Sequence, residues 1–361
     1  MNNIQRLAQL GQSVYVDEIR RSWLHDGTLQ RFIDEDGIHG VTSNPAIFEK
    51  SITGTSDYDE AIAVHAQQGS DAFATYEALV IDDIQRAADL FRQQYDESKR
   101  KFGYISLEVS PELAHDSAGT IAEGKSLWER LDRPNVFIKV PATDAGIVAI
   151  EELTALGINV NVTLLFGQER YKAAARAYIK GLRRRLEADL PVDHVYSVAS
   201  FFLSRIDVHV DKVLGEGHPL RGEAAINYAR LAWNHYNTIF FGQEFADLTN
   251  AGAMPQPLLW ASTSSKDPAF SPVKYVEPLI GPGTVTTLPL DTLAAYREQG
   301  EPKERIHEHA GRVDEVITGL RNEGIDLEQV ASQLEHEGVE KFITPFRHLL
   351  KTLADQLAEA R

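Results

Sequence analysis

The chain has no cysteine among its 361 residues. That excludes disulfides, thiolate nucleophiles and cysteine-ligated zinc, and it fits a reducing compartment, so the cytoplasm is the expected location. Cations are scarce as well: 36 Lys and Arg stand against 53 Asp and Glu, a formal charge of −17. Nucleic acid and anionic membranes both select for clustered positive charge, so neither is expected as a main partner. No apolar run approaches the roughly 20 residues of a membrane span. The opening segment, MNNIQRLAQLGQSVYVDEIRR, has no continuous apolar core or cleavage site of the kind that marks a secretory signal. Neither GxGxxG nor GxxxxGK[ST] occurs, and GPGTV at 281–285 is a glycine-proline turn. His307, Glu308 and His309 lie in a charged stretch with no third ligand at a recognised spacing. No cofactor and no metal are therefore expected.

What is present is enough apolar residue, 43% of the chain, to build a large core. The length suits one α/β barrel or two medium domains, and no glycine-rich or serine-rich linker divides the chain. Short β-rich runs recur, each followed by helical periodicity, at residues 12–17, 37–44, 104–110, 135–141, 157–166, 194–202, 256–264 and 274–282. Eight such units close a TIM (β/α)8 barrel. Long gaps after the second and sixth strands leave room for two helices each, at 57–95 and 204–243. The expected architecture is a single TIM-barrel domain over 1–361 with extra helices. Residues 300–361, rich in Glu, His and Lys, form exposed amphipathic helices packed on it.

One residue breaks the pattern of the fourth strand. Lys139 stands inside NVFIKVP, among Val136, Phe137, Ile138 and Val140. A lysine is rarely buried unless paired. It could sit at the strand end with its ammonium reaching water or Asp144. Alternatively it is a nucleophile, because burial disfavours the ammonium form and frees the amine to attack a carbonyl.

The ends of the other strands bear on that choice. In the fifth, Asn159, Asn161 and Thr163 share one face and Val160, Val162 and Leu164 the other, which places polar groups inside the barrel. Polar residues recur at corresponding positions: Asp17, Asn44, Glu108, Lys139, Asn161 with Thr163, Ser200 then Arg205, and Ser262 then Lys266. Asp17, Asn44 and Ser262 could each be a cap or turn residue, and Arg205 could simply pair with Asp207. Barrel enzymes, however, recruit catalytic groups from several strand ends at one mouth. Glu108 beside Lys139 is either an ion-pair partner or an acid/base acting through a water. Arg205 and Lys266, on loops above the mouth, suit a phosphate on the substrate.

The segments VTSNPAIFEKSI, LEVSPELAHD, FIKVPATDAGIVAIEELTALGINVNVTLLF and SVASFFLSRID closely resemble the transaldolase family, over residues 10–285. The length and helical tail resemble its longer bacterial subfamily. That resemblance implies a TIM-barrel enzyme of the non-oxidative pentose phosphate pathway. Such an enzyme moves a dihydroxyacetone unit from sedoheptulose 7-phosphate to glyceraldehyde 3-phosphate, giving erythrose 4-phosphate and fructose 6-phosphate. It implies that Lys139 forms the Schiff base, that Glu108 and Thr163 hold the catalytic water, and that Asp17 is the acid/base for C–C cleavage. Asn44, Asn161 and Ser200 would bind the dihydroxyacetone hydroxyls and Arg205 the phosphate, with Phe202 and Ser262 in the same substrate site. One departure stands out. Shorter members carry Ser-x-Arg at the seventh strand, whereas Ser262, Thr263, Ser264, Ser265 and Lys266 run here. Lys266 is the candidate replacement, as a point charge without arginine's fork. Fructose 6-phosphate aldolases, in the same superfamily, place a glutamine at the position of Glu108 and a tyrosine at that of Phe202. A non-catalytic sugar-phosphate binder would have no use for a buried lysine. Sugar phosphates are the expected partners, and both a monomer and a homodimer fit.

Overall fold

Runs rich in β-branched and aromatic residues form the strands, and the amphipathic stretches between them form the helices. In the computed structural model, which describes residues 1–308 and 310–360, eight parallel strands close into a barrel in chain order. They are β1 (Gln12–Val16), β2 (Gly40–Val41), β3 (Tyr104–Glu108), β4 (Val136–Pro141), β5 (Val160–Leu165), β6 (Ser197–Phe202), β7 (Leu258–Ala261) and β8 (Thr284–Leu288). β1 pairs with β8 over five residues and closes the ring. The TIM-barrel expectation is met. The long gaps also hold their extra helices: Asp59–Gln67 and Ala72–Leu90 before β3, Ser204–Leu214 and Ala224–Phe240 before β7. Among the described residues no helix is long and apolar enough to cross a membrane.

The eighth strand was expected at 274–282 and is not there. That run holds a short 3-10 turn, Glu277–Leu279, and the strand follows at Thr284–Leu288. Pro278 and Pro282 cannot donate to a ladder, whereas TVTTL offers β-branched residues at four of its five positions. The turn between them is the GPG segment, with Gly283 at φ +69°.

The barrel interior divides along its axis. Near the N-terminal ends of the strands it is aromatic, with Tyr104 stacked on Phe137 at 4.3 Å and on Tyr196 at 5.5 Å. Gly40 allows this, because a Cβ there would lie 2.4 Å from the Tyr104 carbonyl and 2.8 Å from the Tyr15 ring. Near the C-terminal ends the inward positions turn polar.

The last helix is amphipathic and packs on the barrel. Helix Leu327–Glu359 buries a stripe that includes Val330, Leu334, Phe342, Phe346, Leu349 and Leu353. It packs on β5 and on helices Pro45–Thr53, Ala72–Leu90 and Ser204–Leu214, so it crosses the C-terminal mouth of the barrel. Gly338 makes the approach close, since a Cβ on it would meet the Leu164 side chain at 3.0 Å. Leu164 itself has φ +58°, where the β5–β6 register shifts between Val162 and Leu165. The alternation read from β5 therefore holds for Asn161 and Thr163 and breaks at Leu164.

Candidate active site

The register places Glu108 opposite Lys139 on β3–β4 and Lys139 opposite Asn161 on β4–β5, one polar row across three strands. Lys139 is 4% exposed. Its Nζ lies 3.2 Å from Glu108 Oε2 and donates to the Ser43 carbonyl at 3.1 Å. Asp144 does not take part, because it pairs with Arg170 at the surface. Burial pushes the Glu108 carboxyl above its ordinary range, and the adjacent Lys139 ammonium offsets part of that rise. Glu108 Oε2 meets the ammonium as an ion pair without an aligned hydrogen bond, and the buried Thr163 Oγ1 has no hydrogen-bond partner. Asn161 donates to Ser106 Oγ at 3.0 Å and accepts from Ser200 Oγ at 2.7 Å, which fixes its amide.

On the facing wall Asp17 follows β1 and accepts from Thr42 Oγ1 at 2.6 Å, and Thr42 also meets Thr287 Oγ1 at 2.6 Å. Burial raises the Asp17 carboxyl too, against the pull of Thr42 and then Lys139. Asn44 caps helix Pro45–Thr53, its Oδ1 accepting from Ala46 and Ile47 N–H at 3.0 and 3.1 Å. Capping uses the oxygen and leaves the amide nitrogen to donate, so the cap and the site are not alternatives.

Arg205 opens helix Ser204–Leu214. It does not pair with Asp207, which instead accepts from Ala225 N–H at 2.7 Å and Tyr275 O–H at 2.9 Å, with Lys274 at 3.8 Å. Arg205 Nη1 is buried with no hydrogen-bond partner among the described residues, and burial lowers the guanidinium pKa. Its Cζ lies 5.6 Å from the Phe202 ring and 6.0 Å from the Phe342 ring. A buried donor lacking an acceptor costs about 1–3 kcal/mol, and an anionic ligand would recover it. Ser262, at φ +56°, meets Ser204 Oγ at 2.8 Å. The exposed Lys266 donates to Ser264 Oγ at 2.5 Å.

These residues bound one cavity of about 150 Å³. Eight of the eleven residues expected in the site line it: Asp17, Asn44, Lys139, Ser200, Phe202, Arg205, Ser262 and Lys266. Glu108, Asn161 and Thr163 are buried next to them. Six further residues line the cavity, Thr42, Ala261, Ser264, Thr287, Pro289 and Phe342, and three of these matter to the site. Thr42 follows the short strand Gly40–Val41 and no pattern set it apart from its neighbours, and Thr287 went with the misplaced eighth strand. Phe342 comes from the C-terminal helix, and its local pattern marks only a core position. Away from the cavity, His307 pairs with Glu304 at 3.1 Å and Glu308 with Lys303 at 2.8 Å, while His309 lies outside the described residues.

The family described as Transaldolase/Fructose-6-phosphate aldolase matches residues 14–353. The chain belongs to that family. A transaldolase of Thiobacillus denitrificans is 42% identical over 355 residues, covering 97% of this chain and 99% of its own. A transaldolase of Saccharopolyspora erythraea is 40% identical, covering 100% of this chain and 99% of its own. Transaldolase 2 of Nostoc punctiforme is 39% identical, at 99% and 98%. The family membership extends past the barrel, since the matched residues run into helix Leu327–Glu359, whose Phe342 lines the cavity.

Proposed function

We propose that this chain is a transaldolase that carries a dihydroxyacetone unit on Lys139. It takes the unit from sedoheptulose 7-phosphate and delivers it to glyceraldehyde 3-phosphate. The observation that carries the reading is a lysine buried against a carboxylate of raised pKa, at the wall of a cavity whose other end holds an arginine with a buried, unpartnered donor. A carboxylate pushed up by burial is a stronger base, so passing the Nζ proton to Glu108 frees the amine for attack. The amine adds to the ketose C2 carbonyl, and the carbinolamine oxygen leaves as water. Glu108 and Thr163, both with unspent hydrogen-bonding capacity, hold the water that relays those protons. Asp17 takes the C4 hydroxyl proton as the C3–C4 bond breaks and the aldose departs. Asn44, Asn161 and Ser200 hold the hydroxyls of the retained unit, Phe202 and Ser262 shape the pocket, and Arg205 with Lys266 hold the phosphate. The enamine then adds to the incoming aldose, giving ping-pong kinetics.

Reduction with borohydride in the presence of fructose 6-phosphate, followed by peptide mapping, tests the scheme. A single label on Lys139 is expected, and a label on another lysine, or none, rejects it. Glu108 and Phe202 favour transfer over release of free dihydroxyacetone, and turnover of fructose 6-phosphate without acceptor would favour the aldolase instead. The lack of cysteine supports a cytoplasmic setting, and the docking of helix Leu327–Glu359 across the barrel supports one domain with residues 300–361 as its extension.

A further inference from the structure

The cavity is small for its task. About 150 Å³ falls below the roughly 300–1,000 Å³ of pockets that enclose small ligands. The barrel strands cannot widen it, because they are hydrogen-bonded into a closed ring. One wall belongs to no strand and no barrel loop. Phe342, on helix Leu327–Glu359, is 4% exposed and faces Lys139 Nζ at 5.7 Å and Arg205 Cζ at 6.0 Å from its ring centre. The ring thus spans both ends of the site, the reacting nitrogen and the phosphate cation. Its position is fixed on either side. One turn earlier Gly338 seats the helix on Leu164 and Phe166, and one turn later Phe346 packs edge-on against Tyr76 at 5.3 Å. Between them Pro345 removes one helical N–H and weakens the ladder beside Phe342.

We propose that Phe342 is a specificity-determining residue that keeps bulk solvent from protonating the lysine-bound dihydroxyacetone enamine and so commits it to transfer rather than hydrolysis. The inference rests on the Schiff-base reading of Lys139. After the first aldose leaves, two outcomes compete. In transfer, the enamine carbon attacks an aldehyde, a new C–C bond forms, and the resulting iminium is then hydrolysed to release the product ketose and the free amine. In hydrolysis, the enamine carbon takes a proton to give the iminium, and water adds at C2 with loss of a proton. The C2–Nζ bond then breaks, releasing the free amine and dihydroxyacetone. Both routes end with water at the Nζ–C2 bond. Only the second needs a proton delivered to the enamine carbon before an aldehyde arrives, and an apolar ring over the site offers no hydrogen bond to the bulk water that could bring it. The face of the same ring lies within cation–π reach of Lys139 Nζ and of the Arg205 guanidinium, which holds it over the site.

The test uses the full-length protein with Phe342→Ala and Phe342→Leu. Fructose 6-phosphate and erythrose 4-phosphate are supplied, and free dihydroxyacetone is measured against sedoheptulose 7-phosphate. The ratio is expected to rise about tenfold in Phe342→Ala and about threefold in Phe342→Leu, which keeps apolar volume but loses the reach of the ring. A ratio unchanged in either folded variant, with borohydride still labelling Lys139, overturns the role of Phe342 and leaves the Schiff base standing. A rise accompanied by protease cleavage within helix Leu327–Glu359 assigns the effect to undocking of the helix and overturns the residue assignment. Absence of the Lys139 label in the unsubstituted protein overturns the reading on which the inference depends.

Discussion

Two buried ion pairs in this molecule look alike by burial and differ in how completely they are satisfied. Arg21 and Asp83, with side chains 10% and 0% exposed, meet at 2.7 Å on the outside of the barrel. Arg21 also donates to the Leu79 carbonyl at 3.1 Å and reaches Asp82 at 3.3 Å, and its guanidinium covers the Tyr58 ring at 4.4 Å. The second Asp83 oxygen accepts from Tyr58 O–H at 2.7 Å. Among the described residues, the hydrogen-bonding and ionic contacts of Lys139 and Glu108, at 5% and 3%, are each other and one backbone carbonyl, with a Thr163 hydroxyl buried nearby that has no hydrogen-bond partner. Burial raises both carboxyl groups, Asp83 as well as Glu108. Depth alone does not separate structure from chemistry; what remains unpaired beside a cavity does.

Exchanging the two lysine and arginine positions for apolar residues should break the likeness. Lys139→Met is expected to cut turnover by at least about 10⁴-fold, since no other group supplies the covalent step. It is expected to leave a stable protein, because Glu108 stands next to a cavity that water can enter, whereas Asp83 is enclosed by Arg21 and Tyr58. Steady-state rates together with a denaturant titration check both halves. Glu108→Gln keeps the shape and removes the base, at an expected cost of about 10³ in kcat. With Asp17 and Glu108 both raised, activity in the unsubstituted protein is lost as pH falls through a midpoint above the ordinary carboxylate value of about 4. In Glu108→Gln only the Asp17 part of that limb remains in the pH profile of kcat/KM. Arg21→Met strands Asp83 in a satisfied, structural site, so the expected loss is about 3–5 kcal/mol of stability. Its folded fraction keeps kcat within about twofold, as distant sites act independently. A Lys139→Met protein that unfolds, or an Arg21→Met protein that folds normally but turns over slowly, would reverse the assignment.

The sequence disclosed half of this contrast. Lys139 was visible because an ammonium inside VFIKV conflicts with the burial of its neighbours, and the two-residue period of β3 and β5 aimed Glu108, Asn161 and Thr163 inward with it. Arg21 gave no such signal, lying in a short helix where an exposed arginine is ordinary. The choice for Arg205 between Asp207 and a ligand stayed open, because neighbours in sequence do not reveal that Asp207 turns to Tyr275 and Ala225. The acceptor for Lys139 is a backbone carbonyl, which no residue type announces. Phe342 was hidden for a different reason. Periodicity says that a helix has a buried face, and only the tertiary path of helix Leu327–Glu359 decides that this face covers the mouth.

A third buried pair, between Asp207 and Lys274, tests whether satisfaction is a graded property. Asp207 has two good donors, Ala225 N–H and Tyr275 O–H, but its cation stands off at 3.8 Å. Burial therefore pushes its carboxyl up to about 6. The sign of the consequence is opposite to that of a well-paired carboxylate. Between pH 4 and 6 the folded protein holds a proton that the unfolded chain has released, so stability falls as pH rises through this window. The shift from 3.8 to about 6 is worth about 3 kcal/mol. Asp207→Asn cannot titrate, and urea unfolding at pH 4 and pH 6.5 should show the unsubstituted protein losing that amount relative to the variant. A difference near zero would mean that Ala225, Tyr275 and Lys274 together offset the cost of burying the Asp207 charge, and the distance of the cation would then not grade how well a buried carboxylate is satisfied.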